Sequence, residues 1–307
     1  MTIDEAIREA CSSVGVYPPK GGYKVGKWQK TDTLSGKNGK GDGRVIVNDA
    51  FVTAWNWQTG EKASVGIKGE LSLGQRRQIA KDIENERRAR IQRAEKAASI
   101  AKRLVAAAKL SPHPYLFRKG LELEKALVCG ADIVAELAGP SNSYLIPQGA
   151  QCAIVVPARI GDRVSSAQLI WEDGTKKFLY GGEMERACHR LASGSFTWFC
   201  DGFATGLSLR IALHSLNRRD CILCGFSAYN AAAMARAANG RRAIATDNDK
   251  PLPQFDGLGT GEHYARLSGV PYLMPPKLGD DLNDLHCRDG IFVVQRLVSK
   301  FLREAAM

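Results

Sequence analysis

The sequence predicts an α+β chain. It reads as a small basic β-rich N-terminal domain, a long basic helix, and a C-terminal α/β domain whose parallel sheet is flanked by helices. Three observations predict this. From Thr197 onward, short apolar runs alternate with helix-length segments, which is the spacing of βαβ units. Residues 72–110 hold no proline and, after Gly74, no glycine; between Gln75 and Lys109 they carry eleven basic and four acidic side chains. Residues 44–68 break into short β-rich runs, with turn residues at Asn48-Asp49 and Gln58-Thr59-Gly60. The expected divisions are 1–71, 72–110, 111–192 and 193–307.

The elements follow in order. Residues 1–14 form an amphipathic helix with Ile3, Ala6, Ile7 and Ala10 on one face. From Lys20 to Arg44 the chain carries seven basic and two acidic residues. Within it, Gly36 to Gly43 make a basic glycine loop whose Lys37 and Lys40 can neutralise phosphate. This is not a phosphate-binding P-loop, because the Gly-Lys-Ser/Thr ending before a helix is absent. Trp28, Trp55 and Trp57 lie among lysines. They either stack unpaired bases or form the core of a small β-domain. The long helix is nearly all charged around Arg87 and Arg88, so it is either a solvated linker or a basic face that guides a nucleic-acid strand. At 1.5 Å per residue it spans roughly 50 Å.

Ser111-Pro112-His113-Pro114 ends the helix, with His113 a turn residue. Residues 121–138 read as helix. Cys152–Ile160, Ser165–Trp171 and Lys176–Leu179 read as an antiparallel meander. Strands at 197–202, 221–226, 242–247 and 270–274 then alternate with helices at 204–216, 228–239 and 260–268, and a terminal helix covers 291–304. His214 and His263 fall on helices as surface or core groups.

Composition narrows the function classes. The chain has 307 residues, 44% hydrophobic, with a formal net charge of +11. Such charge points to a polyanionic partner, nucleic acid before acidic membrane. No run of 18 apolar residues occurs and the first residues lack a signal-peptide layout, so a cytoplasmic protein with no membrane role is expected. Eight scattered cysteines read as reduced core residues. Cys221-Ile222-Leu223-Cys224 has zinc-like spacing, but no second pair completes it, so no zinc is expected.

The chemistry sits at strand ends. Asp201-Gly202, Asp247-Asn248-Asp249 and Asp280-Asp281-Leu282-Asn283-Asp284 each follow an apolar run. In a parallel sheet such carboxylates converge on one edge, where ligands bind. Hard oxygen donors in this number suit Mg²⁺ or Mn²⁺. His286, next to the last cluster, is a candidate to touch it.

This pattern, over residues 197–285, resembles the TOPRIM domain shared by bacterial-type primases, topoisomerases and some nucleases. Two upstream pieces are similar to primase catalytic cores. Tyr115-Leu116-Phe117-Arg118-Lys119-Gly120-Leu121 is similar to their Tyr-Leu-x-x-Arg-Gly-Leu segment, and Asp173 to Leu179 to their lysine-bearing hairpin. The order of the pieces resembles phage- and plasmid-encoded primases. The resemblance implies synthesis of short RNA primers from ribonucleoside triphosphates on single-stranded DNA, in a bacterial host cell, beside a separate replicative helicase. It implies that Asp247, Asp249 and Asp281 hold Mg²⁺ or Mn²⁺, and that Asp201 positions or deprotonates the 3′-hydroxyl. Lys119 and Lys177, with Arg118 and Lys176, would hold the triphosphate or template. The family's first acid is Glu, and Asp201 is one methylene shorter. A metal-dependent nuclease on the same scaffold, and a non-catalytic single-stranded-DNA-binding protein with a degenerate site, are the alternatives.

Overall fold

Alternation shapes the first sheet. The computed structural model describes residues 1–34, 41–48, 50–57, 61–67, 73–252 and 255–304. Lys37 and Lys40 lie outside them. Strands β1 (Gln29–Thr31), β2 (Gly43–Val47), β3 (Phe51–Asn56) and β4 (Lys62–Gly66) pair antiparallel in sequence order. Every second residue faces one side. Val45, Val47, Val52 and Ala54 thereby meet α1 (Ile3–Ser13), which buries Ala6, Ile7, Ala10 and Cys11. A capping box starts α1: the Thr2 hydroxyl accepts from Glu5 N–H at 3.2 Å, and the Glu5 carboxylate accepts from Thr2 N–H at 2.7 Å. Buried Asn56 ties the sheet to the helix end by donating to the Val14 carbonyl at 2.8 Å.

The basic stretch forms one 35-residue helix, α2 (Leu73–Ala107). The chain divides into two compact units, residues 1–92 with 253–257, and residues 93–252 with 258–307. The boundary thus falls inside α2, where the charged stretch gives way to an apolar stripe. In the second unit that stripe, Ala97, Ile100, Ala101 and Leu104, is buried against Val155, Leu169 and Trp171. Arg87 and Arg88 are exposed and share Glu84, at 3.7 and 2.8 Å. Such solvated pairs add little stability.

The second unit holds two sheets. The first is antiparallel, in order β5 (Lys109–Ser111), β6 (Ala126–Gly130), β7 (Cys152–Ile160), β8 (Arg163–Trp171) and β9 (Lys176–Phe178). Short helices α3 (Pro114–Arg118) and α4 (Ala131–Ala138) interrupt it. The helix expected over 121–138 is therefore only α4. Ala126-Leu127-Val128-Cys129 instead pairs as a half-buried strand on β5 and β7. Tertiary pairing outweighs a helical pattern in so short a run.

The second sheet comprises β10 (His189–Ala192), β11 (Thr197–Cys200), β12 (Cys221–Cys224), β13 (Arg242–Ala245) and β14 (Tyr272–Leu273). Its order is β10-β12-β11-β13-β14, with β10 antiparallel and the rest parallel. Helices α5 (Phe203–Ser215), α8 (Leu282–Asp289) and α9 (Ile291–Glu304) cover one face. Helices α6 (Ala228–Ala237) and α7 (Thr260–Ser268) cover the other. Neither β10 nor α8 is apparent in the sequence pattern. Helix α5 also packs on the antiparallel sheet: Phe203, Ala204 and Leu207 join Ile154, Val156 and Ile170 in one cluster. Segments 111–192 and 193–307 accordingly share a core.

All eight cysteines are free, and Cys287 is the exposed one. Among the described residues no helix is long and apolar enough to cross a membrane.

Trp198 anchors the α5–α9 face. It is fully buried, and its indole donates to Asp220 at 2.9 Å, a carboxylate that Arg218 also holds at 2.8 Å. Trp198→Ala is expected to cost about 3–5 kcal/mol in chemical denaturation. Trp198→Phe should cost less, because a ring still fills most of the space against Phe196 and Phe301 while Arg218 satisfies Asp220.

Candidate active site

Strand order creates the site. From β11 the chain crosses to β12 on one side. From β12 it passes back over β11 to β13 on the other. Successive connections therefore leave β11 in opposite directions, and a crevice opens at the carboxyl ends of β11 and β13. Asp201 directly follows β11, and Asp247 lies two residues beyond β13; the last ladder pair is Cys200 with Ala245. Two acids from distant parts of the sequence are thus set side by side.

Their environment is costly. Oδ1 of Asp201 and Oδ1 of Asp247 are both buried with no donor. Burial raises the Asp201 carboxyl above the usual range; the charges of Asp281 and Asp249 add to this, and a hydrogen bond with Asp247 opposes it. Burial raises Asp247 too, followed by the charges of Asp201 and Asp281. Two carboxylates so placed share a proton or need a cation between them. Among the described residues, no group of three or more His, Cys, Asp or Glu side chains is arranged to hold one metal ion. The other acids are engaged locally. Asp249 accepts from Gly261 N–H at 2.9 Å and so caps α7. Asp281 is the N-cap of α8, accepting from Asp284 N–H at 2.7 Å, while Asp284 accepts from Asp281 N–H at 3.2 Å. Asp280 is buried and paired with Arg288.

Close packing sets the Asp-x-Asp loop. A side chain on Gly261 would meet Thr246 Oγ1 at 2.4 Å and the Asp247 carbonyl at 2.6 Å. Asn248 donates its backbone N–H to the Asp280 carbonyl at 2.9 Å and its side chain to the Pro275 carbonyl at 2.9 Å. The loop after β13 is therefore tied to the segment that leads into α8.

Beside the acids lies a cleft of about 430 Å³, lined by Tyr115, Arg118, Lys119, Lys176, Asp284 and Cys287 among others. Lys119 ends α3 and reaches Asp284 at 3.3 Å. Buried Asn283 fixes it, donating to the Lys119 carbonyl at 2.7 Å and to Ser208 Oγ at 3.0 Å. Arg118 bonds the Glu172 carbonyl at the tip of the β8–β9 hairpin. Gly174 turns that hairpin with φ +87°, and a side chain there would approach Arg118 at 3.5 Å. Register separates the two hairpin lysines. Lys176 pairs with Ile170, which packs towards α5. Lys177 pairs with Leu169, which packs towards α2. Directly paired residues share a sheet face. The cleft therefore holds Lys176, and Lys177 lies on the opposite side of the sheet.

His113 is no mere turn residue. It is buried, its Nδ1 accepts from Tyr115 N–H at 3.2 Å, and its Nε2 donates to the Cys152 carbonyl at 3.2 Å. It caps α3 and so sets Tyr115, Arg118 and Lys119. His286 Nδ1 lies 3.0 Å from Ser208 Oγ, so its partner is a hydroxyl on α5. Sequence reasoning missed Asn283, Asn248, Gly261 and the capping role of His113. The signals available were the Gly-x-Gly run at Gly259 and the Asp-x-x-Asp spacing from Asp281, a capping pattern.

No family model matches this chain, and no curated protein matches it. It is similar to a chain in the structure of the bacteriophage T7 lagging-strand DNA polymerase interacting with primase domains of two gp4 subunits bound to an RNA/DNA hybrid and dTTP. The identity is 14% and the TM-score 0.36, over 50% of this chain and 79% of that one.

The His113 cap makes a pH prediction. Burial holds its imidazole below the ordinary 6.5, and only the neutral ring can accept at Nδ1. The unfolded ring takes up its proton at higher pH than the folded one. The contribution is therefore complete above 6.5 and declines as pH falls below it. His113→Asn keeps a capping oxygen and removes the titration. Between pH 6.5 and about 5, wild type should lose more unfolding free energy than this variant in urea titrations.

Proposed function

We infer that the second unit is a divalent-metal-dependent nucleotidyltransferase of primase type, joining ribonucleotides into short RNA primers on single-stranded DNA. The observation that carries this is the half-buried Asp201–Asp247 pair at the crevice, each with a buried, orphaned Oδ1, next to a cleft where Arg118 and Lys119 at the end of α3 face Lys176 of the β8–β9 hairpin. The TOPRIM-like order of acids and the primase-like segments at Tyr115 and Asp173 support it.

The acids fit a divalent ion. Their donors are hard oxygens, and two are orphaned and buried. Mg²⁺ commonly takes only one or two protein carboxylates, with water and substrate phosphate completing its shell. A closed three-ligand set is therefore not required in its absence. Asp247, Asp249 and Asp281 would hold Mg²⁺ or Mn²⁺. An ion bound there would neutralise charge on the phosphoryl oxygens and make a hydroxyl more acidic. Asp201, though shorter than the family's Glu, still meets Asp247, and it would accept the proton of the primer 3′-hydroxyl. A bond forms between that oxygen and the α-phosphorus, the α–β bridge breaks, and pyrophosphate leaves. Arg118, Lys119 and Lys176 would hold the triphosphate. Lys176 is the hairpin lysine of this mechanism, because it is the one in the cleft. The partners are a single-stranded DNA template, ribonucleoside triphosphates and a separate replicative helicase.

A primer-synthesis assay with labelled ribonucleotides tests this. Asp247→Asn with Asp249→Asn should abolish product while keeping the fold. Mg²⁺ should raise the Tm of wild type and not of that double variant. Lys176→Ala should lower kcat/KM for nucleotide about 10- to 150-fold, the range for losing a hydrogen bond to a charged group. Lys177→Ala should stay within about 3-fold. Shortened template without ribonucleotides would instead mark a nuclease. No turnover with any divalent metal would mark a binding protein.

A further inference from the structure

The β1–β4 sheet spends one face on its core and leaves the other with a composition no core would hold. Valines and Ala54 cover the α1 side. On the opposite side one register row crosses all four strands: Lys30 pairs with Arg44, Arg44 with Trp55, and Trp55 with Lys62. Trp57 continues the alternation from Trp55 and lies on the same side. Trp28 and Trp55 have ring centroids 6.3 Å apart, and Trp55 and Trp57 5.5 Å, both edge to face. The Arg44 guanidinium sits 3.9 Å from the Trp57 ring centroid, and Lys62 Nζ 5.8 Å from that of Trp55. Trp57 is 46% exposed and Trp28 41%.

Packing does not account for these rings. Trp28, Trp55 and Trp57 lie outside the buried cluster of the unit, so the core-tryptophan alternative raised by the sequence is not what the fold uses. Neighbouring indoles held edge to face, with cations against them, leave π-surfaces open between positive charges. We propose that this face binds single-stranded nucleic acid. Unpaired bases stack on Trp28, Trp55 and Trp57, while Lys30, Arg44 and Lys62 neutralise the backbone. Base–aromatic stacking is indifferent to sequence, because every base has a π-face. A duplex hides those faces inside its stack. A second copy of this chain would bring like charge, given seven basic and two acidic residues from Lys20 to Arg44. Asp42, whose charge acts on Arg44, and Glu61, next to Lys62, sit at the rim. They leave the row itself cationic. The proposal rests on this face alone and not on the acids of the second unit.

The test uses the full chain carrying Asp247→Asn and Asp249→Asn, with chelator and no nucleotides, so loss of catalysis cannot be mistaken for loss of binding. Labelled oligo-dT and oligo-rU of about 16 nucleotides, and a duplex of the same length, are titrated by anisotropy and tryptophan fluorescence. Single strands should bind and quench the fluorescence, with the duplex weaker. Trp57→Ala and Trp28→Ala should each weaken single-strand binding about 5- to 150-fold, and Trp57→Phe by much less. Lys62→Gln should flatten the dependence of log affinity on log salt by about 0.7. A preference for dT or for rU supports the face equally and names the strand. Unchanged affinity in both tryptophan-to-alanine variants, or a duplex bound as tightly as a single strand, overturns it. Should either alanine variant fail to fold, the Trp57→Phe and Lys62→Gln arms decide. A Phe variant as tight as its parent, with a flattened Lys62→Gln salt slope, supports the face; an unaltered slope overturns it.

Discussion

Two half-buried carboxylates side by side repel, and much of the second unit is arranged to keep them there. Asp201 and Asp247 reach each other only because β11 and β13 are neighbours in a sheet whose connections run in opposite directions from β11. Each acid is only half-buried, yet one oxygen of each is sealed from solvent with no donor. The surroundings hold the loop that carries Asp247. Gly261 lets α7 press on the Asp-x-Asp loop at a distance no other residue type would permit, and Asp249 is held by capping that helix. Asn248 fastens the loop to the segment before α8. The site is therefore a pair of carboxyls on a packed frame whose surroundings disfavour two negative charges at once.

The cleft follows the same logic from the other sheet. Helix α5 packs on both sheets, so the antiparallel hairpins and the parallel strands belong to one compact unit. Buried Asn283 links them chemically as well, bonding Lys119 at the end of α3 and Ser208 on α5. A phosphate held by Arg118, Lys119 and Lys176 would thus be held by the frame that carries the acids. Sheet parity decides which hairpin lysine faces the cleft. The sequence favoured Lys177 over Lys176, and the pleat sends the two to opposite faces, with Lys176 on the side of the cleft.

This parity also marks how far the sequence could be read. The strand–helix alternation after Thr197, the long basic helix, and the three acidic clusters were all visible, because each rests on local periodicity or on a run of like residues. The terminal helix is legible to its last described turn, since Val294 and Val298 repeat at helical spacing and are buried. What escaped depends on pairing. β10 is an antiparallel edge strand of four residues, too short for its pattern to declare it. β6 looked helical because its apolar residues fit either period until β7 lies beside it. His113 read as a turn residue because its cap becomes visible only when the ring meets Tyr115 N–H. Of the acids, the sequence pointed to Asp247, Asp249 and Asp281 as metal ligands, with Asp201 beside them. It could not show that Asp249 and Asp281 already serve as helix caps and would have to serve two partners at once.

The first unit presents the converse case. Its sequence left the tryptophans equally suited to a core and to a surface, since indole is the largest apolar side chain and also the best stacking partner. The register separates these uses. Alternation from Val52 to Asn56 sends Val52, Ala54 and Asn56 to α1 and Trp55 to the other side, and the chain is in phase by the time it reaches Trp57. Once α1 is satisfied by small β-branched residues and alanine, the indoles lie outside that core. They gather instead with Arg44 and Lys62, whose charge makes a buried role costly and a polyanion favourable. A sheet with one packed face and one aromatic, cationic face is built to stay incomplete until something with flat rings and negative charge lies on it.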